Sequence, residues 1–210
     1  MRNYLTEFIG TFFLVLTIGL AVIGASPAAP LAIGASLMIM VYAGGPISGG
    51  HYNPAVSLAA MMRKVLPASQ FVPYVIAQVA GAVVAALAVL SITTKTFAPA
   101  PAPGASVMAA LLVEALYTFA LAYVVLHTAM ERKVAGNSYF GLAIGFTVVV
   151  GAYAGGGISG GAFNPAVGLG PIIVDATIGT GGWGNLWLYL VGPLVGGALA
   201  ALVAGLQHDA

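Results

Sequence analysis

Few side chains in this sequence could do chemistry. Its 210 residues hold six Lys or Arg, five Asp or Glu, three His and no Cys. The missing cysteines remove thiol nucleophiles, disulfides and thiolate-bound zinc together. His51, His127 and His208 are scattered, and separated histidines make no metal site. What remains is paired. Asn53-Pro54-Ala55 recurs as Asn164-Pro165-Ala166, and Glu7 recurs as Glu114. Asn before Pro reads as a helix start, because the Asn side chain caps the helix and Pro suits its first position, where no N–H is needed. Such a pair offers non-covalent chemistry: amide donors and positive helix ends presented to a neutral molecule. The reading is of no enzyme, no catalytic residue, no cofactor and no metal.

The elements that must position these residues are apolar. The chain is 60% hydrophobic and 5% charged, against about 25% charged in soluble proteins. A net charge of +1 gives no footprint for nucleic acid. Stretches long enough to cross about 30 Å of hydrocarbon are read at 4–25, 31–45, 71–92, 107–127, 139–153 and 183–206. The second and fifth look short, since each runs into a glycine-rich stretch. The first is longer than the roughly 7–15 apolar residues of a signal peptide and lacks a basic cluster, so it reads as retained. The fold class is therefore an all-α membrane protein with six transmembrane helices, and the bilayer is its first partner.

The two halves repeat. Leu31-Ala32-Ile33-Gly34, Ile47-Ser48-Gly49-Gly50 and Asn53-Pro54-Ala55-Val56 all recur at a constant offset of 111 residues, the mark of an internal duplication. We divide residues 1–210, a single domain, into a first repeat (1–92), a proline-rich linker (93–106) and a second repeat (107–210). Three spans per repeat is odd, so the second half crosses the membrane upside down, an inverted 3+3 arrangement. Arg2, Arg63, Lys64, Arg132 and Lys133 fall on one side and Lys95 on the other. Positive-inside bias puts both termini in the cytoplasm and the linker outside.

The segments after Asn53 and Asn164 are apolar and helix-forming, with room for about 9 or 10 residues, roughly 15 Å each. Laid end to end, two half-helices span the hydrocarbon, and in an inverted repeat their N-termini meet at its midplane. Facing positive ends there oppose cations. Irregular backbone at that depth must be buried or line a wet cavity. Glu7 and Glu114 read as braces whose carboxylates accept from this backbone; proton relay is the other reading. His51 reads as a lining of the cytoplasmic vestibule, with a pH gate as the other reading because free histidine titrates near neutrality. Ala77, Gly81 and Ala85, Gly192, Gly196 and Ala200, and Gly141 with Gly145 form small-residue stripes for close helix crossings. Trp183, Trp187 and Tyr189 read as interfacial anchors.

The paired boxes, the Ile-Ser-Gly-Gly before each, Glu7 and Glu114, Gln78-Val79-Ala80-Gly81 and Gly192-Pro193-Leu194-Val195-Gly196 resemble the aquaporins, the major intrinsic protein family, over essentially the whole chain. The resemblance implies six tilted helices plus two half-helices, a pore in each protomer of a homotetramer, and residence in a cell (inner) membrane. It implies passive conduction of water and small neutral solutes with exclusion of protons and ions. It also places a selectivity filter at Ile33, Ala152, Gly161 and Val167. Orthodox water channels there tend to have Phe, His, a small residue and Arg. Without the Arg the filter is apolar and wide, as in the plant tonoplast intrinsic proteins, which implies passage of ammonia, urea and hydrogen peroxide beside water. Glycerol facilitators resemble the chain less, since Gly168 stands where they typically have Asp. A secondary transporter, which also uses inverted repeats with broken helices, and a non-conducting structural protein are the alternatives.

Overall fold

A computed structural model describes residues 1–208; the last two residues of the second repeat lie outside it. Every regular element among the described residues is helical. The first half contains α1 (Arg2–Ile23), α2 (Ala29–Ser48), α3 (Pro54–Met62) and α4 (Ala68–Thr93). The second contains α5 (Val107–Thr128), α6 (Phe140–Ser159), α7 (Pro165–Thr177) and α8 (Leu186–His208), with a single 3₁₀ turn at Arg132–Val134. Six of these are long and apolar enough to cross a membrane. Their outer faces leave Leu, Ile, Val and Phe side chains exposed, as lipid demands and water does not.

The second and fifth spans are longer than their apolar runs suggest. Helix α2 continues through Gly44-Gly45-Pro46 to Ser48, and α6 through Gly155-Gly156-Gly157 to Ser159, so each has 20 residues. Glycine costs a helix conformational entropy, but one face of each run is packed in protein: Gly44 faces the ring of Tyr52, and Gly155 faces Val113 and Tyr117. Both helices stop where a glycine turns left-handed, Gly49 at φ 91° and Gly160 at φ 90°. The last span begins at Leu186, after Trp183.

The pairing of helices repeats with the sequence. α4 lies on α1 as α8 lies on α5, α2 and α6 cross between the repeats, and each half-helix also packs on the last span of the other repeat, α3 on α8 and α7 on α4. At the α2–α6 crossing Gly34 and Gly145 each approach the other's carbonyl so closely that neither has space for a Cβ. Gly81 sits in the same way on the Phe8 carbonyl of α1, and Gly196 on the Ala115 carbonyl of α5. The small-residue stripes are helix crossings. Of the expected interfacial aromatics, Trp183 and Trp187 are half-exposed, but Tyr189 is fully buried. Its hydroxyl donates to the Ser159 carbonyl, so it closes the end of α6 instead of meeting the headgroups.

Candidate pore and its central constriction

The irregular backbone between α2 and α3 matches that between α6 and α7. Gly50 and Gly161 have φ 62° and 65°, and Tyr52 and Phe163 have φ 50° and 49°. Left-handed backbone is costly for a side chain and needs support. A glutamate supplies it in each repeat. Glu7 Oε1 accepts from Ser48 Oγ at 2.7 Å and the His51 N–H at 3.0 Å, and Oε2 from the Tyr52 N–H at 2.7 Å and Gln78 Nε2 at 2.8 Å. Glu114 accepts from Ser159 Oγ and from the N–H groups of Ala162 and Phe163 at 2.7, 3.0 and 2.7 Å. Both glutamates are fully buried. The hydrogen bonds they receive come from the serines that end α2 and α6, from backbone N–H groups of the loops and, for Glu7, from Gln78.

The loops deliver Asn53 and Asn164 as caps. Asn53 Oδ1 accepts from the Ala55 N–H at 2.8 Å, and Asn164 Oδ1 from the Ala166 N–H at 2.9 Å. Their Nδ2 groups reach across the centre: Asn53 donates to the Phe163 carbonyl at 2.9 Å and Asn164 to the Tyr52 carbonyl at 2.8 Å. Each cap is thereby tied to the other repeat's left-handed residue, and the two helix N-termini are held face to face. An amide NH₂ has two hydrogens, so one per Asn is left over. α3 has 9 residues as anticipated, whereas α7 has 13 and carries Pro171 within it.

The leftover donors face a cavity of about 420 Å³. Asn53, Asn164, Ile33, Ala152, Gly161 and Val167 all line it, among apolar side chains that include Leu14, Leu121, Val56 and Ile144. No Lys, Arg, Asp or Glu is among the lining residues. Val56 follows the first box as Val167 follows the second, and Ile144 matches Ile33 at the offset of 111; reading the repeat from the second half back to the first would have found both. Phe97 to Ala100 also line this cavity. Nothing in the composition of an alternating Ala-Pro linker signals that it folds onto the opening. It is fastened there by Thr96 Oγ1 donating to Asp175 Oδ1 at 2.6 Å and the Ala102 N–H donating to the Ile158 carbonyl at 3.0 Å.

A second cavity, about 610 Å³, lies among Asn3, the 65–67 turn, Gln70, Tyr74 and the 128–137 connection. His51 lines both cavities. His127 is engaged elsewhere, with its ring nitrogens 2.8 Å from the Tyr123 carbonyl and 2.9 Å from Gln207 Oε1.

Residues 1–204 match the family described as Major intrinsic protein. The chain belongs to that family. It is 37% identical over 97% of its length to the glycerol uptake facilitator protein-like 6 of Lactiplantibacillus plantarum, 97% of which is covered. It is 42% identical over 84% of its length to Aquaporin TIP1-2 of Musa acuminata, 69% of which is covered. With Aquaporin AqpM of Methanothermobacter thermautotrophicus it shares 36% identity over 96% of this chain and 95% of that one. In fold it is similar to the aquaglyceroporin from Plasmodium falciparum, with a TM-score of 0.87 and 22% identity over 100% of this chain and 99% of the other. Members of the major intrinsic protein family are channels and not enzymes, and this chain is a multi-pass membrane channel of that family.

Proposed function

We propose that this major intrinsic protein conducts water together with ammonia, urea and hydrogen peroxide, and excludes protons and ions. The observation that carries the reading is the pair of cross-tied Asn caps opening onto an apolar cavity without a charged lining residue. A permeating water accepts from Asn53 and Asn164 at once, and the apolar walls beside it supply no acceptor for its own hydrogens. A proton-conducting chain is interrupted at that point, and the two helix ends oppose cations. Ile33, Ala152, Gly161 and Val167 serve as the filter. Selectivity of aquaporin-type pores depends on diameter, lining donors and electrostatic barriers, and here width and low polarity replace a charged donor. Gly161 is suited twice over, by its lack of a side chain and by its left-handed φ of 65°.

The protein works as a single domain of two repeats joined by the 93–106 linker, assembled as a homotetramer in the cell membrane with both termini cytoplasmic. Five basic residues at one end of the bundle against Lys95 at the other support that orientation. Stopped-flow light scattering on proteoliposomes, with sucrose, urea and glycerol gradients in parallel, tests the reading. Fast shrinkage in sucrose followed by fast urea re-swelling is expected. Shrinkage at the lipid-only rate, or accumulation of solute against its gradient, refutes a passive channel.

A further inference from the structure

The two repeats are not copies at one place beside the pore. His51 and Ser57 stand 111 residues before Ala162 and Gly168, and Gln78 corresponds to Pro193, at the offset of 115 that pairs Tyr74 with Tyr189 and Gly81 with Gly196 in the last span of each repeat. All three polar side chains are exchanged together, while both boxes and the valines after them are kept. The three are buried and joined. Gln78 Nε2 donates to Glu7 Oε2 at 2.8 Å and to Ser57 Oγ at 3.0 Å, and Ser57 Oγ lies 3.0 Å from His51 Nδ1.

Counting hydrogens gives this chain a direction. An ionised carboxylate only accepts, so Glu7 turns the NH₂ of Gln78 toward itself. Both amide hydrogens are then used, on Glu7 and Ser57, and Gln78 Oε1 is left buried without a partner. A buried carbonyl oxygen is not orphaned without cause; the carboxylate holds the amide donor-first. Ser57 Oγ accepts from Gln78, so its own hydrogen goes to the acceptor within reach, His51 Nδ1. A ring nitrogen that accepts carries no hydrogen, and the neutral imidazole then bears its proton on Nε2.

We infer that Gln78 and Ser57 are positioning residues that hold His51 as its Nε2–H tautomer, making it a hydrogen-bond donor to permeating molecules in the cavities it lines. His51 lines both cavities, and its Nε2 makes no hydrogen bond to a described residue. The opposite tautomer would aim an Nδ1–H at a hydroxyl that already accepts from Gln78 and would strand the Ser57 hydrogen. The lumen thus meets three donors in succession, His51, Asn53 and Asn164, which suits a permeant that presents an oxygen or nitrogen lone pair. The meaning of this donor rests on the channel reading; the tautomer itself does not.

Nuclear magnetic resonance of isotope-labelled histidine in the reconstituted protein tests it, with the His51 signal assigned by its loss in His51→Gln. A bare Nδ1 and a protonated Nε2 are expected in the unmodified chain. Ser57→Ala should weaken that preference by roughly tenfold, the worth of one such hydrogen bond, and Ser57→Thr should restore it. A hydrogen on Nδ1 in the unmodified protein overturns the inference, whatever the variants do. So does an unmoved tautomer ratio in folded Ser57→Ala. Failure of the channel reading looks different, since lipid-rate shrinkage of vesicles would leave the tautomer intact.

Discussion

Val167 and Glu114 are the single residues at which the proposed pore is most directly tested. By the family resemblance Val167 stands where an Arg would supply both bulk and charge, and it lines the cavity of about 420 Å³ from the first turn of α7. Val167→Arg should therefore cut urea flux by roughly tenfold or more while water falls by much less, because a charged, longer side chain both narrows the pore and adds a barrier. Parallel water and urea measurements on proteoliposomes check it, and equal losses would show that the position does not set the cutoff. Glu114 is a different case. Glu114→Gln replaces an acceptor with a donor facing a hydroxyl or an N–H. The expected cost is about 1–3 kcal/mol per mismatched group, read as a lower unfolding temperature with flux retained. Abolished flux in a protein of normal stability would instead make Glu114 a relay.

At the scale of elements, the half-helices carry the design and the linker refines it. Each half-helix is capped within its own repeat and tied to the other across the centre, so neither N-terminus can withdraw alone. Asn164→Asp places a carboxylate between the two positive ends. Raised cation or proton leak in folded protein is the expected result, and an unchanged leak counts against the electrostatic barrier. The linker depends on a lighter fastening. Thr96 is hydrogen-bonded to Asp175 near the end of α7, and the Phe97 ring lies against Gly19. Thr96→Val should loosen the 97–100 segment over the cavity and raise the urea-to-water flux ratio by about twofold or more, since it removes one charge-assisted hydrogen bond. An unmoved ratio would show that the linker covers the mouth without shaping it.

For the whole molecule, the inverted duplication explains the economy of charge. Two of the five acidic residues brace the loops and five of the six basic ones mark one end, so little charge is spent elsewhere. The bundle closes through glycine crossings that have no slack. Gly81→Val would drive a side chain into the Phe8 carbonyl and should cost about 1–3 kcal/mol or more by overpacking, seen as lost folded protein on size-exclusion chromatography. Orientation is testable on the intact chain. A fluorescent protein fused to the C-terminus should fold in the cytoplasm, and a tag in the 97–104 segment should be reached from outside; the reverse pattern would invert the assigned topology.

The sequence alone determined the six spans, the duplication, the two capped half-helices and the pairing of Glu7 with Glu114. These are local or periodic features: an apolar run has a length, an Asn-Pro start is a short motif, and a repeat needs only comparison of the chain with itself. Where helices α2 and α6 end was not legible, because their glycine-rich runs are supported by distant neighbours packed on one face, Tyr52 on Gly44 and Tyr117 on Gly155. Nor was the burial of Tyr189 or the seat of Phe97 to Ala100 on the cavity. Tertiary structure alone decided which atoms face each other: Asn53 against Phe163, Asn164 against Tyr52, and His51 at the end of a hydrogen-bonded chain through Ser57 from Gln78. The physical reason is that hydrogen-bond partners more than a hundred residues apart are chosen by the inversion axis, which no stretch of sequence contains.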